Sequence, residues 1–131
     1  MYIKTTNNVK ITVQPTYLKD QSEPAVNHYV WAYTVQIENL GKQTLQLQSR
    51  YWHITNAIGQ VQEVEGEGVV GEQPILKAGE AFKYTSGASL ITPSGIMSGR
   101  YRMIEKESGT ELEVEIPAFS LDCPYADMRP N

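Results

Sequence analysis

The chain has 131 residues and a formal net charge of −4, with 40% hydrophobic residues and one cysteine. This length predicts a single domain, residues 1–131, with a core of its own. The acidic balance argues against nucleic acid and against an anionic membrane as partner, because phosphate binding needs a basic face. No apolar run approaches the ~18 residues of a membrane span, and the N-terminus lacks an apolar signal core. Since the lone Cys123 also favours a reducing compartment, we predict a cytoplasmic protein.

Apolar and polar residues alternate along most of the chain, which is typical of half-buried β-strands. The first predicted strand is Val9–Tyr17, where Pro15 indicates an edge strand or a bulge. The clearest alternation runs over residues 29–37. These odd-numbered residues are therefore predicted to face the core.

The next strand changes phase in its middle. Leu47 continues the odd-numbered pattern, whereas Trp52 and Ile54 are apolar at even positions. A shift by one residue within a strand is the sign of a β-bulge, which we predict near residues 49–51. The favoured interpretation is that Trp52 fills the core and Arg50 extends toward water. The alternative is that the bulge re-aims the polar and aromatic side chains of residues 50–53 toward a site.

Further alternating runs occur around Val61, Phe82, Met97 and Val114, separated by turn residues at roughly 8–12-residue spacing. The prediction is an all-β protein, an immunoglobulin-like or fibronectin type III-like antiparallel β-sandwich of about seven to eight strands. Residues 122–131 are expected to form an irregular tail. The predicted core consists of Trp31, Tyr33, Val35, Ile37, Leu45, Leu47, Val114 and Ile116.

Residues 63–79 contain the densest run of glycine and glutamate, including a literal G-x-G-x-x-G at 66–71. In a dinucleotide-binding fold this motif follows a strand and opens a helix whose N-terminus holds the pyrophosphate. Here Pro74 follows too early for such a helix, and glutamates surround the glycines. Glycines that permit a sharp β-connection are the favoured interpretation. A nucleotide or dinucleoside polyphosphate site at this loop is the alternative.

The same loop is the predicted interaction surface, centred on residues 67–73. Val69 and Val70 lie between glycines, where they either form an apolar contact tip or fold back to cap the core. Two binding mechanisms are open: the valines insert into a partner's groove, or an adjacent edge strand pairs with a partner's chain. Homodimerisation through sheet edges competes with both. The candidate binding residues are Gly66, Glu67, Gly68, Val69, Val70, Gly71 and Glu72.

Metal and catalytic signals are weak. Glu63, Glu65 and Glu67 alternate, so on a strand they share one face and form a weak candidate site for a hard cation. A solvated acidic face is the favoured interpretation. His28 and His53 have no partner at zinc-ligand spacing, and a G-x-S-x-G nucleophile motif is missing. We therefore predict no enzyme activity and no cofactor.

Several blocks of the chain form a recognisable set, at residues 39–41, 49–54, 63–74, 79–87, 95–101 and 116–121. The most specific of them is VEGEGVVGEQP. Together these blocks resemble the bacterial ApaG family, also called CorD, and the resemblance covers nearly the whole chain.

The resemblance implies a fibronectin type III-like sandwich and implies much less about activity. The family is linked with cobalt and magnesium resistance and lies genomically beside a diadenosine tetraphosphate hydrolase. Similar domains in eukaryotic F-box proteins and in a polymerase delta-interacting protein resemble protein-binding modules. The resemblance therefore implies a non-enzymatic protein-binding module that acts on cation homeostasis through a partner, and it supplies no catalytic residues.

Overall fold

The protein is a two-sheet antiparallel β-sandwich, seen here in a computed structural model that describes residues 1–124. One sheet has the order β1-β2-β3-β7, and the other has the order β5-β4-β8-β9, with β6 paired to the start of β4. The predicted fold class is thereby confirmed. The strands are β1 (Tyr2–Thr6), β2 (Val9–Tyr17), β3 (Tyr29–Asn39), β4 (Leu45–Asn56), β5 (Val61–Glu67), β6 (Ile75–Leu76), β7 (Ala81–Leu90), β8 (Ser94–Glu105) and β9 (Glu111–Asp122).

Helical structure within residues 1–124 is limited to two three-residue 3-10 turns, Lys19–Gln21 and Pro24–Val26. None of this described part forms a helix with the length and apolar character of a membrane span. The strand count exceeds the predicted one because β1 and β6 carry no readable periodicity. The middle of β1 is exposed on both faces, and β6 has only two residues.

The core lies between the sheets, and β3 runs through its centre between β2 and β7. Buried and half-buried residues alternate over the whole of β3, which confirms the predicted phase of residues 29–37. All eight predicted core residues are buried. An aromatic cluster joins the two sheets. Tyr33 of β3 meets Trp52 of β4 across the core with ring centroids 5.3 Å apart, and within the second sheet Trp52 meets Phe119 of β9 at 5.9 Å. Edge-to-face packing of this kind adds to the area-based stabilisation of a core.

The phase change in β4 is a bulge. The register with β8 shifts between Leu47 and Ser49, one residue before the predicted stretch. Residues after the bulge therefore face the core at even positions, as Trp52 and Ile54 do. Arg50 has the same parity, so its side chain also starts on the inner face of the sheet. The bulge thus brings a cation to the interior edge of the sandwich.

One side of the sandwich is closed and the other is open. On the closed side Lys4 of β1 pairs with Glu115 of β9, and the Asn7 side-chain amide donates to the Glu113 carbonyl (2.9 Å). On the opposite side the outermost strands are β7 and β5, and within residues 1–124 neither pairs with a further strand. Pro15 lies beyond the last residue that pairs with β1, so its missing N–H leaves that ladder intact.

Asp122, the first residue of the predicted irregular tail, is the last residue of β9 and pairs with Ser94. Residues 125–131 of that tail lie outside the described residues.

Candidate functional site

The loop after β5 closes in a two-residue turn. Val69 N donates to Glu72 O (2.8 Å), and Glu72 N donates back to Val69 O (2.9 Å). Between them Val70 and Gly71 are both left-handed, with φ of 44° and 81°. Positive φ at both central positions defines a type I′ turn, which normally carries Asn-Gly. Val70 is therefore strained, because a β-branched residue strongly disfavours this region.

The two adjacent valines have opposite environments. Val69 is fully buried and belongs to the hydrophobic core, whereas the side chain of Val70 is 55% exposed. The two valines of the pair therefore have to be interpreted separately. Val69 caps the core, and Val70 is an apolar tip on the surface.

The three glycines of the G-x-G-x-x-G each have a local structural reason. A Cβ on Gly66 would lie 2.8 Å from the Arg50 Nη1, so the guanidinium rests directly on this residue. Gly68 has a φ of 65°, and a Cβ there would approach the Glu72 carbonyl oxygen to 2.3 Å. Gly71 supplies the second positive φ of the turn. These constraints are those of a tight β-connection.

Three backbone N–H groups of the loop, those of Gly68, Val69 and Glu72, are engaged within the protein. Gly68 N donates to Gln48 O (2.9 Å), while the N–H groups of Val69 and Glu72 close the turn. A phosphate cradle needs free backbone N–H groups that converge on the ligand. After Gly71 the chain enters β6 rather than a helix. The geometry thus accounts for the motif without a nucleotide.

Arg50 anchors the loop from beneath. Its Nη1 donates to the carbonyl oxygens of Gly68 (2.9 Å) and Glu67 (3.2 Å). The expected extension of Arg50 into water is not what the structure shows. The side chain is half-buried, because the bulge in β4 turns it inward and the carbonyls at the end of β5 supply acceptors. No alternation pattern reveals this role, since it depends on the pairing of Arg50 with Gly66.

Three tyrosines line the interior beside Arg50. The hydroxyls of Tyr84 on β7 and Tyr101 on β8 are hydrogen-bonded to each other across the core. Burial raises the pKa of Tyr101 well above its ordinary value and also raises the pKa of Tyr84. Burial likewise raises the pKa of Tyr33. The interior at this end therefore holds hydroxyl groups in their neutral form.

Glu63, Glu65 and Glu67 do share one face, the outer face of β5. They lie across β4 from a basic pair on β8, Arg100 and Arg102. This outer face forms a depression of about 440 Å³. The three glutamates therefore belong to a face of mixed charge, which sequence reasoning did not foresee because the basic residues are distant in the chain.

Arg100 is the residue that organises this face. Its guanidinium carbon lies 4.2 Å from the centroid of the Tyr51 ring, and its Nε lies 3.4 Å from a Glu113 carboxylate oxygen. Successive same-face residues of a strand are about 6.6 Å apart, so the three carboxylates of β5 do not converge as cation ligands do. Within residues 1–124, no group of three or more His, Cys, Asp or Glu residues is placed to hold a metal ion.

Comparisons with known proteins identify the family of this chain. The family model described as the ApaG domain matches residues 19–105. Protein ApaG of Paramagnetospirillum magneticum is 57% identical over 131 residues, covering 100% of both chains. Protein ApaG of Parvibaculum lavamentivorans is 59% identical over 126 residues, covering 96% of both.

A solved structure agrees with these sequences. The crystal structure of an ApaA protein from Bordetella pertussis superposes with a TM-score of 0.85 at 46% identity, covering 94% of this chain and 96% of the other. Both the sequence and the sandwich therefore match along almost their full length. The chain belongs to the ApaG family.

Proposed function

We propose that this ApaG-family protein is a non-enzymatic protein-binding module whose contact surface is the loop at residues 67–73, with Val70 as its central contact. The observation that carries the proposal is the backbone of Val70. A β-branched residue holds a φ of 44° while exposing 55% of its surface. Left-handed backbone at a non-glycine residue costs about 1–3 kcal/mol and is concentrated at ligand-contacting sites. An asparagine would relieve the strain, so the valine side chain itself has a use.

The surroundings of Val70 hold the tip in one conformation. The buried Val69 fixes the turn from one side, and Arg50 fixes the preceding carbonyls of Glu67 and Gly68 from beneath. A loop ordered before binding loses little conformational entropy on association. The exposed glutamates at positions 67 and 72 flank the tip. The fitting partner therefore presents an apolar depression with a basic rim.

Under this proposal the protein acts in the cytoplasm. The family resemblance implies a link to cation homeostasis, and we attribute that link to the partner protein rather than to a metal ion bound by this chain. The divergent carboxylates of β5 support an indirect role. Homodimerisation remains the competing use of the sheet edges.

The test is Val70→Asn, compared with wild type in pull-downs from native lysate. Asparagine is favoured at this position of a type I′ turn, so the variant should be more stable by about 1 kcal/mol. It should nevertheless lose the partner proteins that wild type recovers. Urea denaturation measures the stability, and mass spectrometry of recovered proteins measures the binding.

The matched control is Val70→Ile, which keeps both the apolar surface and the strain and should recover the same partners as wild type. Substituting Val69 would not serve, because removing part of a fully buried side chain destabilises the fold. If Val70→Asn recovers the wild-type partners in undiminished amount, the loop is not the contact surface.

A further inference from the structure

The edge formed by β7 is unusually unprotected. The strand has ten residues, is free of proline, and pairs with β3 without a register shift. Lys83 is its only charged residue. Natural edge strands are normally protected by charges, proline, bulges or short length, and the other open edge, β5, carries three glutamates. β7 has only the one lysine.

The backbone groups of β7 that bond to no strand within the described residues 1–124 can be assigned. Asn39 N donates to Glu80 O (2.9 Å), so this opposed pair is of the hydrogen-bonded type, and alternate pairs along β3 and β7 share that type. The intervening residues Thr85, Gly87 and Ser89 therefore point their N–H and C=O groups away from β3. Val30 of β3, which lies opposite Ser89, agrees with this assignment. Its C=O accepts from Leu18 N and its N–H donates to the Ser22 hydroxyl, so neither group bonds to β7.

Within residues 1–124, no strand lies opposite the inner face of β5. Val64 and Gly66 are only half-buried there and Gln62 is exposed, although all three share the inner face of the strand. Two adjoining crevices of about 320 and 560 Å³ run between β7 and the β4–β5 pair. A strand added beside β7 would lie over β5 and would direct alternate side chains into these crevices.

The chemistry of the crevices differs along β7. Near Leu90 the lining is mixed. It includes the apolar Ile54, Val61 and Ile91 beside polar residues, which are Asn56, Gln60, Gln62 and Ser89. Near Ser86 the lining includes Arg50. Within residues 1–124 no carboxylate lies within salt-bridge distance of Arg50. A half-buried cation without a counter-ion favours an anionic group at this end.

From this arrangement we propose that β7 binds an extended segment of a partner protein as an additional antiparallel strand. The segment carries an apolar residue opposite Leu90 and, because antiparallel strands run in opposite directions, a carboxylate four residues later, opposite Ser86. The backbone of Thr85, Gly87 and Ser89 holds the segment, and Arg50 pairs with the carboxylate. This surface shares Arg50 with the loop but does not include Val70, so either proposal can fail without the other.

A second copy of β7 does not meet these requirements. The strand contains no aspartate or glutamate, so self-pairing offers Arg50 no counter-ion. Its small inward residues, Ser86 and Ala88, also leave the crevice unfilled. The occupant is therefore a different, acidic segment.

The test uses a blocked peptide, acetyl-Thr-Ile-Thr-Val-Thr-Glu-Thr-amide, added to the full chain and followed by amide NMR. Saturable shifts are expected at Thr85, Gly87 and Ser89, with a Kd below about 1 mM. The same peptide with glutamine in place of glutamate should bind about tenfold more weakly, because a charge-assisted hydrogen bond is lost.

Two variants test the edge itself. Gly87→Pro removes an outward N–H without touching the ladder to β3 and should weaken peptide binding at least about tenfold. Gly87→Ala keeps that N–H, and a Cβ there meets only the Trp31 carbonyl oxygen at 3.5 Å, so binding should be unchanged. If Gly87→Pro does not fold, the proposal is tested instead by comparing the affinities of the glutamate and glutamine peptides for the wild-type protein.

The proposal is overturned by any of three results. The first is the absence of saturable shifts on β7. The second is equal binding of the glutamate and glutamine peptides. The third is a concentration-dependent change at the same amides without peptide, which would show a second copy on this edge. Val70→Asn should leave the peptide affinity unchanged, so the outcome is separate from that of the loop.

Discussion

At the scale of single residues, the main finding is that neighbours in the chain have opposite roles. Val69 is buried in the core and Val70 is exposed, since the type I′ turn rotates the chain between them. Arg50 shows the same principle, because the bulge at Gln48 turns a charged residue inward. It is then stabilised by two carbonyl acceptors rather than by a carboxylate.

The hydrogen-bonded pair of Tyr84 and Tyr101 predicts a pH dependence. Burial raises both pKa values above the unfolded value of about 10. Because the folded state holds these protons more tightly, their contribution to stability is complete below pH ~10 and is lost as the pH rises above it. The double variant Tyr84→Phe/Tyr101→Phe should therefore lose less stability than wild type between about pH 9 and 11. Urea denaturation across that range measures the two slopes, and parallel slopes would contradict the assignment.

At the scale of elements, glycines in different turns meet different structural requirements. Gly68, in the β5–β6 connection, has positive φ and also lies against the Glu72 carbonyl. Gly109, in the β8–β9 hairpin, has positive φ with open space around it. The two positions therefore separate backbone strain from steric contact.

Gly68→Ala should destabilise the protein by about 3 kcal/mol or more, whereas Gly109→Ala should cost only about 1 kcal/mol. The difference arises because a Cβ at Gly68 would lie 2.3 Å from a backbone oxygen that cannot move without opening the turn. Chemical denaturation of the two variants measures both values. Equal costs would mean that the turn relaxes freely, which would also weaken the case for a rigid Val70 tip.

At the scale of the whole molecule, the sandwich is closed along β1 and β9 and open along β5 and β7. Stability comes from the core around β3, while both proposed binding surfaces lie on the open side or at its end. The strands that build the core therefore leave the loop and the β7 edge free for partners.

Val35→Asp tests the core directly. Val35 is fully buried between β2 and β7, and a carboxylate there finds no partner. The cost of several kcal/mol approaches the whole stability of a domain of this size, so the variant should be unfolded. Circular dichroism and amide NMR check this outcome, and a folded variant with native shifts would mean that the centre of the sandwich admits water.

The sequence by itself determined the fold class, the eight core residues and the bulge in β4, because each follows from local alternation of apolar side chains. It also placed the three glutamates of β5 on one face. These properties depend on the period of a strand, which is visible within a few neighbouring residues.

Only the tertiary structure decided which of the two valines is exposed, which carbonyl groups bind Arg50 and which sheet edges are unpaired within residues 1–124. Arg50 and Gly68 are 18 positions apart, and the crevice beside β7 joins residues of several strands. Strand order and the direction of a turn depend on long-range pairing, so they cannot be predicted from the local alternation of apolar residues. The candidate loop was therefore found from its composition, whereas its exposed tip and the β7 edge required the fold.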